Sequence, residues 1–275
     1  MIILRCIIFI IIILSLSGCA GVNQNNRNWL IKETDHLIIY YKPDSFAARE
    51  IDTAAKTYEE VCNRVVQMLK LTDTFNKKIN CYLLETMPQW AGKVWGYAVG
   101  SDRSVYYYYS DRKKFISAHE MMHILLDDIN ANAPSCLEEG LCRFYEKRTI
   151  IMINPQEPND TREYSCELYR LAKFESSDKW NVKNVFSSPV MVNEAEGNVA
   201  AAFVSFLTNY MGDELLYYLY RRIDSTSWEN VLTSTLHLSV NEINQTFQKY
   251  GKSLANPPAT ICEYYGKVIP DEWEK

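Results

Sequence analysis

Histidine is scarce in this chain, with four among 275 residues. Basic residues do not outnumber acidic ones: 29 Lys and Arg stand against 34 Asp and Glu, a net charge of −5. A mildly acidic chain lacks the basic footprint of a non-specific nucleic-acid binder, so no nucleic-acid partner is expected. Glycine and proline are few, 10 and 9, while 47% of residues are hydrophobic and 23% charged. That balance excludes collagen-like and disordered chains and describes an ordinary globular protein. There is no internal repeat and no low-complexity block. Eight cysteines are present, yet none form a CxxC pair, which leaves thiol-bound zinc and thioredoxin-like redox chemistry without support. The length suits one domain with two lobes, or two small domains, and is enough to bury a sizeable core.

The first eighteen residues read as a leader. Arg5 is their one charge, Ile7 to Leu14 is an unbroken apolar run, and Ser15-Leu16-Ser17-Gly18-Cys19 follows. A short cationic start, an apolar stretch and small residues at its end are the pattern of a secretory signal. The run is shorter than the about 20 residues of a transmembrane helix. Leu16-Ser17-Gly18-Cys19 resembles the bacterial lipobox. That resemblance implies cleavage before Cys19, lipidation of Cys19, and an exported protein held on the cell membrane through its lipid alone, on the outer membrane where one exists. Residues 19–28 then form a polar tether, and residues 29–275 the domain. Loss of Arg5 takes the net charge from −5 to −6. Cys62, Cys81, Cys136, Cys142, Cys166 and Cys262 would lie where disulfides can form, with bridged and free buried thiols both open.

Along the domain, Asp35 to Lys42 and Lys78 to Leu84 read as strands. Tyr97 to Val99 and Ser104 to Tyr109 read as a hairpin across Gly100 to Arg103. Between the first two strands, apolar residues at three- and four-residue spacing predict a long helix from Ser45 to Leu69. Beyond about residue 110 the pattern is helical: Lys113 to Asp128, Pro134-Ser135 to about Arg148, Thr161 to Phe174, Glu194 to Met211, Asp213 to Ile223, Ser227 to Leu236 and Ser239 to Tyr250. The expected class is α+β, a small sheet lobe with a long helix followed by a mainly helical lobe, their soft boundary near residue 110.

Half of the histidines fall in one pentapeptide, His119-Glu120-Met121-Met122-His123. On a helix, His119 and His123 lie one turn apart on one face. Both imidazoles can then reach one ion over the roughly 2.0–2.1 Å bonds that zinc makes. Glu120 projects beside them, placed to act on a water without filling a coordination position. Catalytic zinc usually has three protein ligands. Leu137-Glu138-Glu139-Gly140-Leu141 offers two carboxylates near the start of the next helix, about 100° apart, and spacing alone does not choose between them.

Ala118-His119-Glu120-Met121-Met122-His123-Ile124-Leu125, followed by Leu137-Glu138-Glu139-Gly140-Leu141, resembles the gluzincin metallopeptidases, and most closely their peptidase MA-like branch. The resemblance covers roughly residues 35 to 250. It implies a zincin-type helical lobe, Zn2+ as cofactor, and His119, His123 and Glu139 as ligands. Glu138 then reads as a solvated glutamate at the helix start, where the helix dipole favours it. It also implies Glu120 as general base on zinc-bound water, hydrolysing a peptide bond in a peptide or protein substrate. The substrate would lie along an exposed strand edge, for which Val105 to Tyr109 is the expected strand. The chain departs from the pattern in one stretch. Relatives often carry a Tyr before the Phe203-Val204 segment that can bond the oxyanion, and here Glu196-Gly197-Asn198-Val199 stands instead. Asn198, Tyr164 and His237 are the candidate donors in its place. Asp127 or Asp128 could orient a ligand histidine, although a charged helix end explains them as well, and His36 reads as structural. Two other functions stay open: a peptidase fold without activity that serves in binding or assembly, and a surface lipoprotein that captures glycans with its 19 Tyr and 6 Trp.

Overall fold

In a computed structural model, residues 28–71, 75–89, 94–153, 181–187 and 194–255 are described. The expected leader at 1–18, Cys19 and nearly all of the expected tether at 19–28 lie outside these residues, as do the expected helix 161–174, Tyr164, Cys166 and Cys262. The class is α+β, a mixed five-stranded sheet followed by helices. No helix among the described residues is long and apolar enough to cross a membrane.

The strands are β1 (Leu30–Glu33), β2 (Leu37–Tyr41), β3 (Ile79–Leu84), β4 (Gly96–Val99) and β5 (Ser104–Tyr108), in the order β1-β2-β3-β5-β4. The β2–β3 and β3–β5 pairs are parallel, and both flanking pairs are antiparallel. β1 comes at the very start of the expected domain and has no counterpart among the expected strands. Its residues are mostly exposed, so it carries little hydrophobic alternation to read. The expected hairpin is β4–β5. β5 is nevertheless an interior strand, with β3 on one side and β4 on the other, so the sheet edge beside the helices is β4 and not Val105 to Tyr109. The two strands were indistinguishable in sequence because a hairpin's order in the sheet depends on which arm meets β3.

Alternation sorts the two sheet faces. Leu37, Ile39, Ile79, Cys81, Leu83, Val105 and Tyr107 point into the core. On the other face Tyr40, Tyr82, Tyr106 and Tyr97 occupy paired register positions on β2, β3, β5 and β4. Their rings stack in a row, with centroids 4.5, 4.7 and 4.4 Å apart and planes within 11°. Ring spacing here follows strand spacing, since in-register residues on neighbouring strands sit about 4.7–4.9 Å apart.

The helices are α1 (Phe46–Arg49), α2 (Ile51–Met68), α3 (His119–Asn130), α4 (Ser135–Ile153), α5 (Val182–Ser187), α6 (Glu194–Tyr220), α7 (Trp228–Leu236) and α8 (Val240–Ala255). The single helix expected from Ser45 to Leu69 is broken at Glu50, while the two expected from Glu194 to Ile223 are present as the two halves of α6, which meet at a kink where Gly212 leaves helical geometry (φ 81°, ψ 163°). α5 has no expected counterpart. One buried cluster extends from Leu37 to Phe247, joining the sheet, α2, α3, α4 and the later helices. The expected sheet and helical lobes therefore share a core.

The expected helix at Lys113 starts six residues later. Ser110 Oγ accepts from the Arg112 and Lys113 amides at 3.2 and 3.4 Å, and Tyr109 bridges to Lys114. These contacts hold 110–114 as a turn. Tyr58 Oη donates to the Phe115 carbonyl at 2.7 Å, and Tyr107 Oη to the Ser117 carbonyl at 2.8 Å. His119 is thus the first residue of α3, tied through the preceding segment to the core tyrosines.

Candidate metal centre

α3 and α4 are joined by the short segment Ala131 to Pro134 and pack against each other. This connection brings the first turns of α4 back onto the side of α3 that carries both histidines. His119 Nε2 and His123 Nε2 are 3.2 Å apart, and Glu139 Oε2 lies 3.4 Å from each. His119, His123 and Glu139 are the group of metal-capable side chains among the described residues. Atoms at tetrahedral angles on bonds of about 2.05 Å would lie about 3.3 Å apart. The triangle therefore has the size that one tetrahedral zinc requires, with three protein atoms and a fourth position left for water or substrate.

Each of the three side chains is oriented from behind. His123 Nδ1 meets Glu138 Oε1 at 2.5 Å. His119 Nδ1 faces Glu146 Oε2 at 3.6 Å, and Glu146 also accepts from Ser117 Oγ. A carboxylate on Nδ1 favours the proton there and leaves Nε2 open to a cation. Glu139 Oε1 accepts from Arg143 Nε at 2.6 Å, leaving Oε2 for the histidines, and Arg143 Nη1 donates to Asn198 Oδ1 at 2.8 Å. The expectation that Glu138 is a solvated neighbour is overturned. Its side chain is 16% exposed and is spent on His123. One residue apart on a helix, the two glutamates reach opposite sides of the same imidazole. Asp128 pairs with Arg103 and takes no part in orienting a histidine.

Two close approaches make this arrangement possible. A Cβ at Gly140 would lie 2.6 Å from the Ala200 carbonyl carbon, so α4 and α6 meet backbone to backbone beside Glu139. A Cβ at Gly197 would lie 2.6 Å from Arg143 Nε. The Glu196-Gly197-Asn198 stretch, which departs from the resembled pattern by having no Tyr, is the seat of the arginine that holds Glu139. Asn198 is engaged there through its oxygen. His237 caps α7 in a left-handed conformation.

Glu120 lies between α3 and the sheet edge, its Cγ 3.2 Å from the Cβ position of Gly96 on β4. Burial raises its pKa; His119 and His123 oppose that, and Glu146 and Glu139 add to it. Burial opposes charge on His119 too, but hydrogen bonds to Glu139 and Glu146 carry its pKa up to about 10. His123 is raised as well, against burial, by Cys142, Glu138 and Glu139. Glu139 is held far below the usual carboxylate range despite burial, by hydrogen bonds to the two histidines and Arg143. Of the six thiols expected in the domain, Cys62, Cys81, Cys136 and Cys142 are free and buried.

Arg143 and Glu146 went unread in the sequence. With Glu139 they are spaced four and three residues apart along one face of α4, a visible ridge, but only once α4 is known to face the histidines. No known family model and no curated protein matches the chain.

Proposed function

We propose that this chain is a zinc-dependent peptidase, exported and held at the bacterial cell envelope by lipid on Cys19. The observation that carries the reading is the triangle of His119, His123 and Glu139, with sides of 3.2, 3.4 and 3.4 Å, matched to one tetrahedral ion. The donor set of two imidazoles and a carboxylate suits zinc. Zinc held there would supply Lewis acidity toward a water and a carbonyl oxygen.

The remaining chemistry falls to the chain. Glu120, raised by burial, accepts a proton from the attacking water and returns it to the leaving amine. Glu138 and Glu146 hold the imidazole rings, and Arg143 holds Glu139, so the ligands need no reorganisation. An extended peptide would add to the free side of β4, whose Gly96 stands beside Glu120. The glycan reading has less support. The faces of Tyr40, Tyr82, Tyr106 and Tyr97 lie against one another, and Trp29 and Trp95 carry Lys42 and Lys113 at 4.1 and 3.9 Å. Stacked and capped rings do not offer the open faces that a sugar takes.

Metal analysis of the purified chain, with peptide-library cleavage by it and by Glu120→Gln, tests the proposal. One zinc per chain in both and cleavage only with Glu120 is the expected result. Zinc in both without cleavage would move the reading to a binding or assembly protein. A chain that takes up no zinc would overturn the site.

A further inference from the structure

A second concave site lies at the other end of the zinc helix. A cavity of about 580 Å³ opens between the end of α3, the segment leading into β3, and the end of α6. This volume falls in the range typical of small-molecule sites. Its apolar wall is Leu71, Phe75, Leu125 and Ile129. From His123 to Ile129 is six residues, about 9 Å along the helix axis.

The charged lining is mostly of one sign. Lys77, Arg103 and Arg221 contribute three cations and Asp128 one anion. Arg103 Nη1 pairs with Asp128, so that charge is met, and Arg103 Nη2 donates to the Lys77 carbonyl at 2.8 Å. Arg103 Nε is buried with no hydrogen-bond partner, a costly state for a guanidinium N–H. The same residue sits in the left-handed region at φ 51°, unusual for a side chain of this kind. Lys77 and Arg221 take part in no ion pair among the described residues. Arg221 is nevertheless held in place, its guanidinium over the Tyr217 ring at 4.4 Å and donating to Tyr217 Oη at 2.8 Å. Two exposed cations with no ion pair among the described residues thus line an apolar-walled cavity, in a chain of net charge −5.

We propose that this cavity is a binding site for a small organic anion with an apolar body, a carboxylate on a hydrocarbon or aryl group. The acid group lies between Lys77 and Arg221, and the apolar body lies on Phe75, Leu125 and Ile129. Asp128 does not oppose the ligand, because Arg103 neutralises it. The site shares α3 with the metal cluster but none of its ligands, so the proposal stands or falls apart from the peptidase reading.

Calorimetric titration of the purified chain with 3-phenylpropionate, 3-phenylpropanol and acetate tests it. Saturable binding of the acid is expected, at least tenfold weaker for the alcohol and absent for acetate. Lys77→Gln with Arg221→Gln should weaken the acid at least tenfold while leaving circular dichroism and zinc content unchanged, since both side chains are exposed. Ile129→Trp, which fills the wall, should weaken acid and alcohol alike. Equal affinity for acid and alcohol, indifference to the double substitution, or no saturable binding of the acid would each overturn the proposal.

Discussion

Glu138 Oε1 lies 2.5 Å from His123 Nδ1, while Oε2 of the next residue, Glu139, lies 3.4 Å from Nε2 of the same ring. Adjacent glutamates thus grip one imidazole from its two nitrogens. Their substitutions should separate by degree. Loss of an outer partner such as Glu138 typically costs 10–100-fold in metal affinity. Glu138→Gln should therefore weaken zinc by about that factor, and Glu139→Gln by far more, since it takes the negative charge from the proposed third ligand. Competition with a chromophoric chelator measures both, and the reverse order would show that the third ligand has been misassigned.

Gly140 should tolerate no side chain. Its Cβ position is 2.6–2.8 Å from Ala200 backbone and side-chain atoms, and a helix backbone cannot step aside as a flexible side chain can. Gly140→Ala is expected to destabilise the fold by about 1–3 kcal/mol, as overpacking does. It should weaken zinc as well, because Glu139 is the preceding residue. Urea midpoints and zinc titrations of the variant report the two effects.

Zinc uptake should release protons. Against burial, the surrounding carboxylates raise the His119 pKa to about 10 and raise that of His123 too, so both rings favour the protonated form more than a free imidazole does. An imidazolium cannot ligate, and coordination must displace its proton. The folded pKa values are raised, so the protons are fully held below the ordinary histidine range and are released as pH climbs through the raised values. Zinc affinity should accordingly rise with pH, most steeply below about 10. Calorimetry in buffers of differing ionisation enthalpy counts the protons, and pH-independent affinity would contradict the cluster's electrostatics.

Tyr58 and Tyr107 should resist alkali. Burial lifts both well above the ordinary tyrosine value, and both donate to carbonyls just before α3. Their folded pKa is raised, so the stability they contribute is complete below about 10, the unfolded value. It is lost as pH rises through the folded values. Tyrosinate absorbance should show exposed tyrosines titrating first, and then a cooperative step that coincides with loss of circular dichroism. Gradual titration of all tyrosines without unfolding would show that these two are not held as described.

The His119-Glu120-Met121-Met122-His123 spacing named the two histidines, because a helix fixes what lies one turn away. The Glu138-Glu139-Gly140 stretch offered two carboxylates that spacing could not separate, and Glu139 was favoured there only by the resemblance to the gluzincins. Local spacing also located α7 and α8 closely and put the break at Gly212, whose φ of 81° only glycine adopts with ease. It failed where ends are set by tertiary contacts. The start of α3 moved from Lys113 to His119 because Tyr58 and Tyr107 bond the segment before it, from 57 and 10 residues away in the chain.

The chain by itself determined residue types and their local periodicity: an apolar N-terminal run, an α+β order, two histidines on one face and a carboxylate on the next helix. Only the tertiary structure decided which glutamate turns inward, that Glu138 supports His123, that Arg143 and Glu146 join the site, and that β4 is the sheet edge. These depend on the approach of α4 to α3 and α6, and on which hairpin arm pairs with β3. Such contacts form between residues far apart in the chain, where no period in the sequence records them.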